Sequence, residues 1–236
     1  MIRPIFPNVR RSGIQSGFTL IELLVVMSIM LIMLGLAAAS FQSLGRTADI
    51  TNSIQSVADT LNLARQLAVS RNEYTQVRFY SPKSTSADYR AGNYTAMKLF
   101  RADSPYYYSD ENGYSQVISS GRMHPEGHLI RLPQSCVILS GSSTYSPLIQ
   151  ALATGTAGMY QFTGAKLDGI AYDGVAFYFK PDGSIDVPAT TSGSATVNAL
   201  SICAMQAYVG AGNKIPANYG IINLDRINGR FQIIRP

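Results

Sequence analysis

The sequence predicts an α+β protein: one long N-terminal helix, then an antiparallel β-sheet or sandwich domain. Three observations predict it. Residues 18–39 are almost wholly apolar, residues 50–68 carry apolar side chains at helical spacing, and beyond residue 72 runs rich in Val, Ile, Phe and Tyr alternate with turn clusters. The chain has 236 residues, 46% hydrophobic and only 14% charged, so it holds material for a real core and is not a charged disordered chain. The excess of 19 Lys and Arg over 14 Asp and Glu gives +5 without a polybasic run. Nucleic acid is therefore not an expected partner.

The helix begins after a basic segment. Residues 1–17 contain Arg3, Arg10 and Arg11 and no acid. As a helix, residues 18–39 would be about 33 Å long, close to the roughly 30 Å hydrocarbon thickness of a bilayer. The basic flank then stays in the cytoplasm and everything after Ser40 crosses. Three readings fit this segment. In the first it is a signal peptide cut at Ala37-Ala38-Ala39, releasing a secreted protein, although the apolar run exceeds an ordinary signal core of about 7–15 residues. In the second it is a plain anchor. Both have to place Glu22, since a carboxylate inside an apolar helix costs roughly 2.5–3.5 kcal/mol on insertion scales.

The third reading accounts for Glu22. Gly17-Phe18-Thr19-Leu20-Ile21-Glu22-Leu23-Leu24-Val25-Val26 resembles the N-terminal signature of type IV pilins and type II secretion pseudopilins. The resemblance implies that a prepilin peptidase cuts after Gly17 and that Phe18 becomes the N-methylated terminus, with Glu22 fifth in the mature chain. It also implies an assembly role for Glu22, pairing with the terminal ammonium of a neighbouring Phe18 in a filament. Such a pair satisfies two charges that would each be costly alone in low dielectric.

Past Ala39 the pattern becomes one-sided. Ile50, Ile54, Val57, Leu61, Ala64 and Ala68 recur at spacings of four and three, with Asp49, Asp59, Arg65 and Arg71 on the other faces. A helix from Phe18 to about Arg71 would be about 80 Å long, with Gly35 and Gly45 as flex points and no proline to interrupt it. The stripe reads as the face a globular domain covers. The stretch from Leu61 to Asn72, followed by a strand over 75–80, is similar to the GspH/FimT group of minor pseudopilins.

The remainder reads as strands near 75–80, 94–101, 115–119, 128–132, 136–140, 174–180, 184–187, 197–208, 219–224 and 230–235. Pro181-Asp182-Gly183 and Asn228-Gly229 mark two turns, and Asn-Gly is a strong hairpin signal. Val175, Phe177 and Phe179 form a core face against Ala176, Tyr178 and Lys180. Segments 102–114 and 141–165, rich in Tyr, Ser, Gly and Thr, read as long surface loops. Leu132-Pro133, the strand at Cys136, Phe179-Lys180-Pro181-Asp182-Gly183-Ser184 and the Gly229-Arg230 hairpin follow the order seen in GspH-type domains.

Catalytic motifs are missing. No G-x-S-x-G, phosphate-binding loop or dinucleotide fingerprint occurs. His124-Pro125-Glu126-Gly127-His128 reads as a polar turn, because Pro125 and Gly127 disfavour the helix that would align two imidazoles. Asp182 and Asp186 fall short of the 6–8 oxygens calcium takes. Neither a metal nor a cofactor is expected. Tyr106, Tyr107, Tyr108, Tyr114 and Tyr145 lie in expected loops, either as a binding face or packed onto the sheet. Cys136 and Cys203 sit in apolar segments and leave two readings, one disulfide or two buried thiols. Some FimT-like pilins take up DNA through a C-terminal Gly-Arg-x-Arg element. Here the sequence is Gly229-Arg230-Phe231-Gln232, with Arg226 and Arg235 nearby as the other cations for a phosphate contact.

The expected organisation is a leader over 1–17, a membrane-spanning and amphipathic helix over 18–72, and a periplasmic β-rich domain over 73–236. The expected function is that of a non-enzymatic minor pilin or pseudopilin, single-pass in the inner membrane with a cytoplasmic N-terminus. Its expected partners are other pilin subunits, the prepilin peptidase, the inner-membrane assembly platform and membrane lipid.

Overall fold

The computed structural model describes residues 19–83, 92–102, 106–110, 113–117, 123–140, 146–154, 160–167, 169–187, 199–204 and 218–235. It describes the side chains of all of these except 37–44, 46, 106–110, 113–117 and 199–204. Helix α1 runs Leu20–Arg71, 52 residues. The chain divides into two compact units, Met1–Leu44 and Gly45–Pro236, so the second half of α1 belongs with the strands.

Both ends of α1 are capped. At the start, the Glu22 N–H donates to Thr19 Oγ1 at 3.3 Å. Thr-x-x-Glu is the capping-box spacing, and Glu22 also lies in the first turn, where the helix dipole favours a carboxylate. At the end, Asn72 takes φ 55° and the Glu73 N–H reaches the Ala68 carbonyl at 3.2 Å. That is the six-to-one bond of a Schellman stop, with Asn in place of the usual Gly.

Among the described residues twelve strands and one further helix follow: β1 Tyr74–Pro82, β2 Ala96–Ala102, β3 Tyr106–Asp110, β4 Gly113–Val117, β5 Met123–Arg131, β6 Cys136–Ile138, α2 Pro147–Thr154, β7 Gln161–Leu167, β8 Ile170–Phe179, β9 Ile185–Asp186, β10 Ala199–Ala204, β11 Tyr219–Leu224 and β12 Phe231–Ile234. Described strand pairs are all antiparallel. One sheet has the order β5-β2-β1-β8-β7 with β9 also on β8, a second has the order β12-β11-β10-β6, and β3 and β4 form a hairpin.

One core joins the pieces of this unit. The stripe Ile50, Ile54, Val57, Leu61, Ala64 and Ala68 is buried throughout, against Val77 and Phe79 of β1, Met97 and Leu99 of β2, Val175, Phe177 and Phe179 of β8, and Ile222 and Leu224 of β11. Phe79 stacks on Phe177 at 6.1 Å.

Four expectations are corrected. Residues 102–114 were expected as loop, but 106–110 form β3 and pair with β4. Residues 141–165 were likewise expected as loop, but they hold α2 and the start of β7. Helix α2 has Pro147 in its first turn, and Leu148, Ile149, Ala151 and Leu152 buried. The His124–His128 segment is no turn but part of β5. That strand is at a sheet edge, where Pro125 removes no bond the sheet needs, and a register irregularity falls opposite it between Met97 and Leu99. On β8, Ala176 and Tyr178 are buried as well as Val175, Phe177 and Phe179, so the strand is covered on both faces at its centre. The Pro181-Asp182-Gly183 turn forms as expected, with the Ser184 N–H donating to Asp182 Oδ1 at 2.8 Å.

Candidate functional site

The candidate site is the start of α1. Gly17 and Phe18, the expected processing positions, lie outside the described residues. From Leu20 to Leu36 every side chain is exposed, including Leu23, Leu24, Ile29, Leu31, Leu34 and Leu36. Glu22 is exposed within this apolar surface, and among the described residues no ion pair reaches it. Ser28 removes its own polarity by donating to the Leu24 carbonyl at 2.8 Å. Glu22 is thus the one charge on an apolar surface. Among the described residues no helix is long and apolar enough to cross a membrane. The described apolar side chains end at Leu36, short of the run over 18–39 read from the sequence.

The other expected sites are spread over the domain. Cys136 is a free, buried thiol, and its burial pushes its pKa up. Ser135 Oγ lies 3.6 Å from its Sγ and donates to Asp49 Oδ2 at 2.6 Å. Cys136 is in register with Ala204, and Cys203 with Val137, so the two cysteines are one step apart across the β6–β10 pair. The side chain of Cys203 lies outside the described residues.

Arg226 Nη2 donates to the Val187 carbonyl at 3.4 Å. Arg230 and Arg235, which flank β12, are both exposed. The side chains of Tyr106, Tyr107, Tyr108 and Tyr114, and all of Tyr145, lie outside the described residues. Asp182 and Asp186 serve the strand turn: Asp182 accepts from Ser184, and Asp186 lies 3.9 Å from Lys180 Nζ. Among the described residues no group of three or more His, Cys, Asp or Glu could hold a metal ion. Glu126, between the two histidines, instead pairs with Arg71 at 2.7 Å and lies 3.9 Å from Arg101. This ties the end of α1 to β5 and β2. Sequence reasoning missed this cluster because its members, from α1, β2 and β5, are brought together only by tertiary packing and strand pairing.

Comparison with known proteins gives one match at this site. Residues 14–38 match the prokaryotic N-terminal methylation motif. Among curated proteins nothing matches significantly. Among solved structures the chain is similar to the minor pseudopilin EpsH from the type 2 secretion system of Vibrio cholerae. The identity is 10%, the TM-score is 0.36, and the match covers 80% of this chain and 98% of that one.

Proposed function

We propose that this chain is a non-enzymatic structural subunit, a minor pilin or pseudopilin of a type II secretion or type IV pilus-like filament, which assembles through its N-terminal helix. The observation that carries this reading is the methylation motif at residues 14–38, set on a capped helix whose first turns expose only apolar side chains and Glu22. In this reading prepilin peptidase cuts after Gly17 and Phe18 is methylated. The new terminus then pairs with the Glu22 carboxylate of a neighbouring subunit. The helix starts in the inner membrane, with lipid around it, and passes through the assembly platform into a filament of other pilin subunits, with the β domain in the periplasm. Removal of Arg3, Arg10 and Arg11 with the leader takes the net charge from +5 to +2. That makes a nucleic-acid role harder still.

Mass spectrometry of membrane-extracted protein tests the reading. The expected N-terminus is methylated Phe18. A chain starting at Ser40 would show instead a secreted protein cut after Ala39.

A further inference from the structure

A cationic cluster lies on the six-stranded sheet, on the face turned away from Val77 and Phe79. Register places Arg78 of β1 directly opposite Lys98 of β2, with Ala176 of β8 on the other side. Like charges directly opposed on neighbouring strands destabilise a sheet. Among the described residues neither cation is paired with a carboxylate.

The arginine is nonetheless held in place. Its guanidinium carbon lies 4.2 Å from the Phe100 ring centre and 5.2 Å from that of Phe162. Arg78 Nε donates to Gln76 Oε1 at 2.5 Å. Burial raises the pKa of the neighbouring Tyr80 hydroxyl, and the Arg78 charge draws it part of the way back. Phe162 comes from the edge strand β7 and reaches the arginine across Gly174, where a Cβ would fall 2.2 Å from Phe162 Cζ. Its ring meets Tyr80 edge-on at 5.1 Å. Lys98 Nζ stands 5.8 Å from the Phe100 ring. Arg78, Lys98, Phe100 and Phe162 are all half-buried. A fixed guanidinium and an ammonium opposite it in register therefore lie together beside two aromatic rings, and among the described residues no carboxylate pairs with either.

We propose that this cationic site receives a carboxylate side chain from an acidic segment of a partner protein. A planar guanidinium matches a carboxylate with two parallel hydrogen bonds, and the two rings offer apolar walls to the methylenes of a glutamate. An incoming carboxylate would also cancel the Arg78–Lys98 repulsion, which nothing in the described chain does. Nucleic acid fits less well. Its affinity rests on many phosphate contacts, and this site holds two cations in a chain without a polybasic run. The inference does not depend on the N-terminal motif.

The test uses the full chain in detergent micelles and fluorescence anisotropy. The probes are a labelled glycine–serine peptide carrying two glutamates, the same peptide with glutamines, and a labelled single-stranded oligonucleotide, with inorganic phosphate as competitor. The glutamate peptide should bind and the glutamine peptide should not. Lys98→Gln should weaken binding by about tenfold, the loss of one charge-assisted contact, while the unfolding midpoint stays level or rises. Arg78→Lys keeps the charge and should weaken binding through loss of the two-pronged geometry. The proposal is overturned if neither peptide binds, if both bind equally, if the oligonucleotide binds more tightly than the glutamate peptide, if equimolar phosphate displaces that peptide, or if both variants bind as wild type.

Discussion

Leu34 and Leu61 lie on the same 52-residue helix, one 69% exposed and the other fully buried. Helix propensity treats them alike; the difference is in their neighbours. Around Leu61 the sequence alternates faces, so one stripe meets the strands and Asp59, Asn62 and Gln66 meet water. Around Leu34 there is no polar face to offer water, and the described chain covers none of it. A helix apolar all round completes its packing outside its own chain, whereas a one-sided helix completes it within. In the proposed filament the first half of α1 therefore serves assembly, while the second half serves folding. Substitutions that separate the two sharpen that contrast.

The largest effect is expected at Glu22. Glu22→Ala should leave the fold of the β domain unchanged, since the two lie in separate compact units. Locally it loses a first-turn carboxylate, worth about 0.3–1 kcal/mol to the helix. In the proposed filament it leaves the Phe18 ammonium of a neighbour without its partner, and one charge of a buried pair left alone costs about 3–5 kcal/mol. Recovery of partner pilins on co-purification should fall sharply. Recovery equal to wild type would remove Glu22 from assembly.

A paired truncation makes the same comparison in stability. Leu61→Ala should destabilise the domain by about 2–5 kcal/mol, as a fully buried leucine does. Leu34→Ala should leave the unfolding of the domain within about 0.5 kcal/mol. Thermal unfolding of both variants in the same detergent reads the difference, and equal losses would break the division of the helix.

That division was legible in the sequence because helix period and apolar content are local quantities. Every member of the Ile50-to-Ala68 stripe is buried, and the strands at 75–80, 174–180 and 219–224 lie within β1, across the end of β8 and on β11. What escaped was either short or polar. Helix α2 has eight residues, too few to show a period, though Pro147 just inside its start was a usable signal. The β3–β4 pair is Tyr- and Ser-rich without alternation, which hides it from a period-two reading. Opposition of Arg78 and Lys98 depends on strand register, which no window of sequence contains. At the candidate site, Glu22 was legible from its motif, but its capping by Thr19 was not noticed even though the Thr-x-x-Glu spacing was present.

A smaller effect is expected where the hairpin between β11 and β12 meets the end of the folding half of α1. Arg65 Nε donates to the Asn228 carbonyl at 2.7 Å. Gly229 has φ 65°, and a Cβ there would fall 2.1 Å from the Gly183 carbonyl oxygen and 3.2 Å from Arg65 Cδ. Gly229→Ala must therefore both strain the backbone and push two turns apart, at about 1–3 kcal/mol. The unfolding midpoint should drop while membrane extraction and processing at Gly17 stay unchanged. A midpoint equal to wild type would show that the two turns are not pressed together.

The smallest effect concerns charge inside the folding half alone. Burial raises the pKa of Asp186, against the opposing pull of Lys180 at 3.9 Å and of Arg226. Tyr178 is its cross-strand partner, with a hydroxyl pushed up to about 12, and the Asp186 charge helps to raise the hydroxyl of Tyr160. A carboxyl with a raised folded pKa binds its proton more tightly folded than unfolded. Its contribution to stability is therefore greatest below the ordinary aspartate value and is lost as pH rises through the raised one. By neutral pH the ionised Asp186 carries the full penalty of burial, which Asp186→Asn removes together with an exchange of one half-exposed ion pair. Thermal unfolding of variant and wild type at about pH 3 and about pH 7 measures the balance, on either side of the ordinary aspartate value. The variant should gain on wild type between the acidic and the neutral condition. A gain in the opposite direction would mean that Lys180 and Arg226 outweigh burial and hold Asp186 below the ordinary value.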